Sequence, residues 1–327
     1  MPIYLLRRII NYLILLSVAV FLAYILAATQ LNPRSLFEVR NPPLNPEAID
    51  ASLTALNLND KVPLLDRFAT WAEGVFRHWD WGKKPDGGDV TAEIGRRIFV
   101  SLRLVTLGAF IGMGCGVALG AWTATRQYKL SDRAISIASL VIISTPTMVI
   151  AILLQVIAVR INQATGSNFF EFLGETGKIG NYPGAWFFDR LQHLLLPTIS
   201  MSLGSIAIYS RYQRNLMLDT LGADYVRTAR AKGLRKGTAV RRHALRTALI
   251  PMGTYFAFAV ASLVLGASIT ERVYGWHGMG VYGVDAISKQ DVHGAVAVAA
   301  FSGTCTLTGA FLSDVLVAII DPRVRVS

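Results

Sequence analysis

The side chains best suited to a chemical task cluster between Arg211 and Ala248, where ten basic residues face two acidic ones, Asp219 and Asp224. Read as a helix from about Leu218, the residues Leu218, Leu221, Tyr225 and Ala229 form an apolar stripe flanked by Val226. Arg227, Arg230 and Lys232 take the other faces, with Asp224, Thr228 and Ala231 between them. Gly233 ends this helix before Leu234, because glycine adopts the left-handed cap without a Cβ penalty and cations suit the last turn. A second helix is predicted from about Thr238 to Ala248, passing through Arg241, Arg242 and His243 towards Pro251. Two roles fit such a hairpin: its cations and apolar stripe can rest on anionic lipid, or the first helix can dock into a partner protein.

Catalytic constellations are missing. The Gly-Lys pairs at 82–83 and 177–178 lack the glycine five positions earlier that a phosphate cradle needs, and neither is followed by Ser or Thr. There is no His-Glu-x-x-His helix and no Gly-x-Ser-x-Gly elbow, and the five histidines are scattered, so neither a metal centre nor an enzyme is expected. Cys115 and Cys305 both fall in apolar segments and read as buried, inert thiols rather than a disulfide.

The elements that must carry the basic loop are membrane spans. Of 327 residues, 53% are hydrophobic and only 16% charged, more apolar surface than one soluble core usually needs. A net charge of +11 is compatible with nucleic acid, but long uncharged apolar runs are not how a nucleic-acid domain displays its charge. A hydrocarbon core of about 30 Å takes about 20 apolar residues in a helix, which satisfies its own backbone amides. Six stretches qualify: residues 9–31, 101–123, 134–159, 194–212, 249–270 and 293–320. The expected fold is an all-α polytopic membrane protein with about six transmembrane helices.

Lys and Arg in short loops set the orientation. With the N-terminus inside, seventeen basic residues fall on the inner side, whereas the outer loops 161–193 and 271–292 hold only Lys178 and Arg190, and Arg272 and Lys289. Both termini are therefore expected in the cytoplasm. This orientation divides the chain into an N-terminal tip and first span (1–31), an extracytoplasmic insertion (32–97), a five-helix core (98–320) with a cytoplasmic loop at 213–248, and a cytoplasmic tail (321–327). The insertion starts with Pro33, Pro42, Pro43 and Pro46, which favour irregular chain. From Leu64 it turns amphipathic, and Trp71, Phe76, Trp79 and Trp81 suit either the lipid headgroup zone or the aromatic core of a small cap.

Inside the spans, Gly108, Gly112, Gly116 and Gly120 line one side of the second, where a helix of this chain or of another subunit can approach closely. Pro146 and Pro197 each remove a helix hydrogen bond and are expected to kink the third and fourth spans, for packing or as a hinge. Carboxylates near mid-membrane, which a proton-coupled carrier needs, are scarce. Only Asp314 lies plainly within a span, as a structural hydrogen-bonding group or a substrate contact. A membrane scaffold without flux is the other alternative.

The run from Asp224 to Leu234, Asp-Tyr-Val-Arg-Thr-Ala-Arg-Ala-Lys-Gly-Leu, with Arg242-His243-Ala244-Leu245 and Ile250-Pro251 beyond it, resembles the loop signature of permease subunits of dipeptide and oligopeptide binding-protein-dependent ABC importers. Agreement extends over nearly the whole chain: Trp79-Asp80-Trp81-Gly82, His193 to Pro197 with Arg211 and Arg214, Thr270 to Tyr274, Gly278-Met279-Gly280, Asp291, Asp314 and Asp321 to Arg325. Three departures stand out, one of them the poor match of the insertion between Glu38 and Asp60. The general signature starts Glu-Ala-Ala where this chain has Arg227-Thr228-Ala229, and His277 replaces the proline usual before Gly278.

The resemblance implies an inner-membrane permease of a prokaryotic cell that pairs with a second homologous permease around a translocation path. It also implies one or two cytosolic ATPase subunits, carrying ATP and Mg, and an extracytoplasmic substrate-binding protein. Residues 218–234 would be the coupling helix, and this chain itself would bind no cofactor. Peptide is the implied substrate, with nickel or glutathione as alternatives carried by similar importers. Ser144, Thr145, Ser200, Ser202 and Ser205 are path candidates by position, and the loop with Trp276 and His277 reaches towards the binding protein or caps the pore.

Overall fold

The computed structural model describes residues 2–38, 45–177 and 184–320, so the expected tail 321–327, Lys178, Pro42 and Pro43 lie outside the described residues. Helices account for nearly all of it: α1 (Pro2–Gln30), α2 (Ser35–Glu38), α3 (Pro46–Ala55), α4 (Leu64–His78), α5 (Val90–Ala124), α6 (Leu130–Ser144), α7 (Thr147–Thr165), α8 (Ala185–Leu221), α9 (Asp224–Ala231) and α10 (Lys236–Ala239). A π-helical turn (Val240–Ala244) then leads into α11 (Leu245–Val273), with α12 (Met279–Ser288) and α13 (Val292–Ile320) after it. Among the described residues, five segments are long and apolar enough to cross a membrane: Leu6–Glu38, Val90–Ala124, Thr147–Thr165, Ala185–Leu221 and Val292–Val317. The 29-residue α11 covers the remaining expected span. Large apolar side chains such as Leu13, Leu22 and Leu26 on α1 and Leu153 and Ile157 on α7 stand open on the surface, as lipid-facing positions do.

The chain divides into two compact units. The first contains Arg103–Trp276 and the helical chain from Thr306; its packing is set by prolines and glycines. Pro146 breaks the third expected span instead of kinking it. Thr145 is extended (φ −95°, ψ 127°) and Pro146 caps the start of α7, since proline pushes its predecessor out of the helical region and has no N–H to donate. Pro197 and Pro251, by contrast, sit inside the unbroken helices α8 and α11.

The glycine stripe of α5 has a partner in this chain. A Cβ on Gly112 would fall 2.6 Å from Ser205 Cβ, and one on Gly116 2.8 Å from Tyr209 Cβ. One on Gly120 would collide with the Ser210 carbonyl oxygen and stand 2.9 Å from the Arg214 amide nitrogen, atoms of the α8 backbone that cannot swing aside. Gly108 is buried on the same helix. Gly120→Ala is expected to cost about 1–3 kcal/mol through overpacking and so to lower the thermal unfolding midpoint in detergent. Gly114→Ala, where a Cβ meets nothing within 4 Å, is the control that leaves it unchanged. Cys115, next to Gly114, is exposed, so of the two cysteines only Cys305 is buried as expected; the glycines turn the facing side of α5 inwards and leave Cys115 on the other.

The second unit is Leu5–Leu102 with His277–Cys305, and in it the aromatic run of the insertion builds a small apolar core. Trp71 is buried against Tyr24, Val75 and Val296, with Phe68 and Trp81 around them, and its Nε1 donates to the Trp81 carbonyl at 3.0 Å. Phe76 and Trp79 remain exposed. The run thus supplies a buried core and leaves two rings on the surface. Gly82 is needed twice over: its φ is +90°, and a Cβ would lie 2.6 Å from His293 Nδ1, which donates to the Lys83 carbonyl. Arg34 braces the insertion through Asp50 and Asp60, each at 2.6 Å.

Asp291 caps α13. Its Oδ1 accepts from the Gly294 amide at 2.9 Å and its Oδ2 from the Tyr282 hydroxyl at 3.1 Å, yet burial pushes the carboxyl up from 3.8 to about 6. A raised folded value means the native state holds the proton more tightly, so this contribution to stability is full below the unfolded value and disappears as pH rises through about 6. Asp291→Asn keeps an acceptor oxygen for the cap and removes the charge. Its unfolding midpoint is expected to exceed that of the parent at about pH 7.5, and the gap is expected to narrow through about pH 6 and close below about pH 4; a gap independent of pH overturns the assignment.

Candidate functional site

The basic loop folds into a short helix on a buried bed. α8 runs on to Leu221, so Leu218 and Leu221 belong to its last turns and not to the helix predicted from Leu218; Gly222 and Ala223 turn the chain before α9 starts at Asp224. This break shifts the helical phase. Val226 and Ala229, not Tyr225, form the buried face of α9. They join Ala124, Met217, Ala239, Ala244 and Ala248 in one apolar cluster, with Leu218, Leu221 and Leu234 packed against it. Alanines from α5, α10, the π turn and α11 thereby meet Met217 of α8 and the inner face of α9, and each end of the loop is tied to a long helix.

The C-terminus of α9 is closed by a complete cap. The Gly233 amide donates to the Arg230 carbonyl at 3.0 Å and the Leu234 amide to the Ala229 carbonyl at 3.3 Å, with Gly233 at φ +90° and Leu234 against the cluster that holds Ala229. That pattern of crossed bonds plus an apolar contact stops a helix sharply. The second helix predicted from about Thr238 leads into the fifth span as expected: α10 and the π turn run directly into α11 without a break.

With Val226 and Ala229 turned inwards, α9 presents Asp224, Tyr225, Arg227, Thr228, Arg230 and Ala231 outwards, and Lys232 comes next in the chain. The Tyr225 ring is 44% exposed although it is large and mostly apolar. Arg227 and Asp224 form an open pair at 3.7 Å that contributes little to stability. The helix is held by one face and offers an aromatic ring among charges on the other.

A residue that sequence reasoning passed over anchors this region. Asp132, at the start of α6, is buried, and Arg214 of α8 grips it in a two-pronged pair: Nε to Oδ1 at 2.6 Å and Nη2 to Oδ2 at 2.9 Å. The Tyr128 amide also donates to Oδ2 at 3.0 Å. Hydrogen bonding to the guanidinium holds the Asp132 carboxyl below the usual carboxylate range. The available signal was one acid among Arg126, Lys129 and Arg133 in an otherwise basic turn.

The other expected residues divide between packing and surface. Ser200, Ser202 and Ser205 are buried within the chain; Ser200 and Ser202 donate to the Pro197 and Ile199 carbonyls, and Ser205 lies where Gly112 opens space. They read as small residues for close helix packing rather than as a lining. Ser144 and Thr145 mark the α6–α7 break, where Ser144 is exposed and Thr145 bonds back to Val141. Asp314 is half-buried on α13. Trp276 is only 2% exposed, with the Arg103 guanidinium 5.9 Å from its ring, so its surface is not available to an external partner. His277 is exposed.

Long apolar helices, joined by loops that carry one capped and outwardly presented helix, define an all-helical, multi-pass membrane protein. Residues 116–326 match the family described as binding-protein-dependent transport system inner membrane component, and the chain belongs to that family. It is 48% identical over 326 residues to the oligopeptide transport system permease protein OppB of Mycobacterium tuberculosis (strain ATCC 25618 / H37Rv), covering 99% of both chains. It is also 29% identical to the oligopeptide permease AppB of Bacillus subtilis (strain 168), covering 99% of this chain and 100% of that one. The dipeptide permease DppB of Lactococcus lactis subsp. cremoris (strain MG1363) is 29% identical, over 98% of this chain and 99% of the relative.

Proposed function

We propose that this chain is one of two permease subunits lining the translocation pore of an ATP-driven importer of oligopeptides in a prokaryotic inner membrane. The observation that carries the reading is α9, whose inner face is welded into the ends of α5, α8 and α11 while its outer face offers Tyr225 to solvent. A cytosolic ATPase subunit that grips Tyr225 and its neighbours can move α9 as a rigid piece, and the apolar cluster beneath passes the movement to the long helices. The chain supplies the lever and no fuel; ATP and Mg belong to the ATPase partners.

Peptide as substrate rests on the full-length similarity to permeases named for oligopeptide and dipeptide transport. An external binding protein selects the peptide, which relieves the pore of the need to discriminate side chains. Of the external loop pair, His277 is the residue left free to meet that protein. The test is copurification of the assembled complex, its reconstitution in vesicles, and uptake of labelled di- and oligopeptides. Uptake that needs ATP and the binding protein is expected. Transport that survives without the ATPases, or that is driven by a proton gradient, overturns the proposal.

A further inference from the structure

The scattered histidines gave no reason to expect a metal centre, but folding brings one of them to two carboxylates. His193 and Asp189 lie one turn apart on α8, and Glu171 reaches them from the segment after α7; one ligating atom from each falls within 4.8 Å of the others. His193 and Asp189 are both buried, and Glu171 is half-buried. The loop is also pinned to a neighbouring helix end, because the Gly174 amide donates to the Tyr274 carbonyl at 2.8 Å.

Three features make this more than a chance meeting of acids. First, His193 Nδ1 stands 2.8 Å from the Asp189 backbone carbonyl, which can only accept, so Nδ1 carries a proton and Nε2 is the ring nitrogen a metal ion can take. That is the orientation metal-bound histidines adopt, with the far nitrogen donating to a carbonyl or carboxylate. Nε2 then lies 3.8 Å from Glu171 Oε2, close to the roughly 3.3–3.6 Å between ligand atoms around a tetrahedral zinc ion. Second, Asp189 Oδ1 is satisfied by the Gly177 amide at 2.9 Å, whereas Oδ2 is buried with no hydrogen-bond partner. A buried carboxylate oxygen with nothing to accept from is costly unless a cation meets it. Third, Gly177 closes over the cluster: a Cβ there would lie 2.5 Å from Glu171 Oε2, 2.9 Å from the His193 ring and 3.2 Å from Asp189 Oδ1.

We propose that Glu171, Asp189 and His193 form a binding site for a divalent cation of the zinc class, with a fourth position for water. Two carboxylates and a neutral imidazole present a double negative charge to a double positive one. The hard oxygens and borderline nitrogen suit Zn²⁺ or Co²⁺ better than a soft ion. Bound there, the cation staples the segment after α7 onto the start of α8. The site shares no residue with α9, so metal binding there stands or falls independently of the lever.

The experiment uses the full chain purified in detergent, stripped with chelator, and titrated with Zn²⁺ alone by calorimetry and with Co²⁺ by visible absorption. One ion per chain is expected, with the intense absorption of four-coordinate Co²⁺ and a higher thermal unfolding midpoint in Zn²⁺. Glu171→Gln, at a half-exposed loop position, keeps the fold and is expected to weaken Zn²⁺ binding by at least about the 10–100-fold seen on loss of an outer-shell group. His193→Gln is expected to abolish the Co²⁺ spectrum, and Gly177→Ala to weaken binding by crowding. Absence of saturable Zn²⁺ binding by the parent chain, or equal affinity in the parent and Glu171→Gln, overturns the site.

Discussion

Replacing Tyr225 with aspartate should cut ATP-dependent uptake by about 30-fold or more while leaving the chain in the membrane at normal abundance. The ring is 44% exposed and takes no part in the cluster of Val226 and Ala229 that holds α9 down, so the substitution spares the fold. It removes the one large, partly apolar side chain on the outer face of α9. An aromatic anchor at a protein interface typically contributes about 2–4 kcal/mol, which converts to docking weaker by about 30-fold to several hundred-fold. Arg227→Ala, at an open ion pair, is expected to change uptake less than about threefold. Val226→Asp gives a different failure: an unpaired charge in a dry cluster unfolds the loop, and the protein itself is depleted. The readouts are membrane abundance, copurifying ATPase and peptide uptake measured on the same preparations. A Tyr225→Asp complex that keeps its ATPase and transports at the parent rate sinks the lever.

Tyr225 also shows where sequence reasoning works and where it stops. The membrane spans were legible because a long uninterrupted apolar run in lipid satisfies its own backbone only as a helix, and a run such as residues 9–31 needs no tertiary information to be recognised. The end of α9 was legible for a similar reason, since Gly233 is chemically suited to the left-handed conformation it adopts. The facing of Tyr225 was not. Counting a helical stripe from Leu218 through Ala229 assumes one continuous phase, and the turn at Gly222 and Ala223 resets it. A glycine in a basic loop is a weaker stop signal than a proline, and nothing local distinguishes the end of α8 from its continuation.

Proline is an uneven guide in this chain. Pro146 and Pro197 carry the same backbone chemistry, yet the first separates α6 from α7 and the second sits inside the 37-residue α8. The difference lies in what surrounds them. Pro197 is buried, with Leu196, Thr198 and Ser200 buried beside it along α8, whereas Ser144 and Pro146 are exposed. Contacts between residues far apart in the chain were beyond reach altogether. Glu171 and His193, or Asp132 and Arg214, are separated by loops or spans, and no periodicity records their meeting.

The Asp132–Arg214 pair is where such a hidden contact carries the largest expected effect on stability. Asp132→Ala strips Arg214 of both its carboxylate bonds and leaves the Tyr128 amide without the Oδ2 acceptor, in a setting where the Asp132 side chain is 3% and the Arg214 side chain 22% exposed. Removing one partner of a buried pair costs about 3–5 kcal/mol, because the remaining charge loses both its bonds and its counter-charge. The expected fall in the unfolding midpoint is roughly 5–15 °C. Asp132→Ala combined with Arg214→Met removes both charges and is expected to recover much of the loss, which a role in mere side-chain packing does not predict. The pair has a pH signature as well. Since the Arg214 guanidinium lowers the Asp132 value, this stabilisation is complete above the ordinary carboxylate range and is lost as pH falls through the depressed folded value. The single variant should therefore lie furthest below the parent at neutral pH and approach it in acid. Because Arg214 stands two turns before α8 gives way to α9, loosening it should also slacken the bed on which the lever rests. Peptide uptake per folded complex is accordingly expected to drop in Asp132→Ala, and to return in the double variant only as far as α8 is again held against α6.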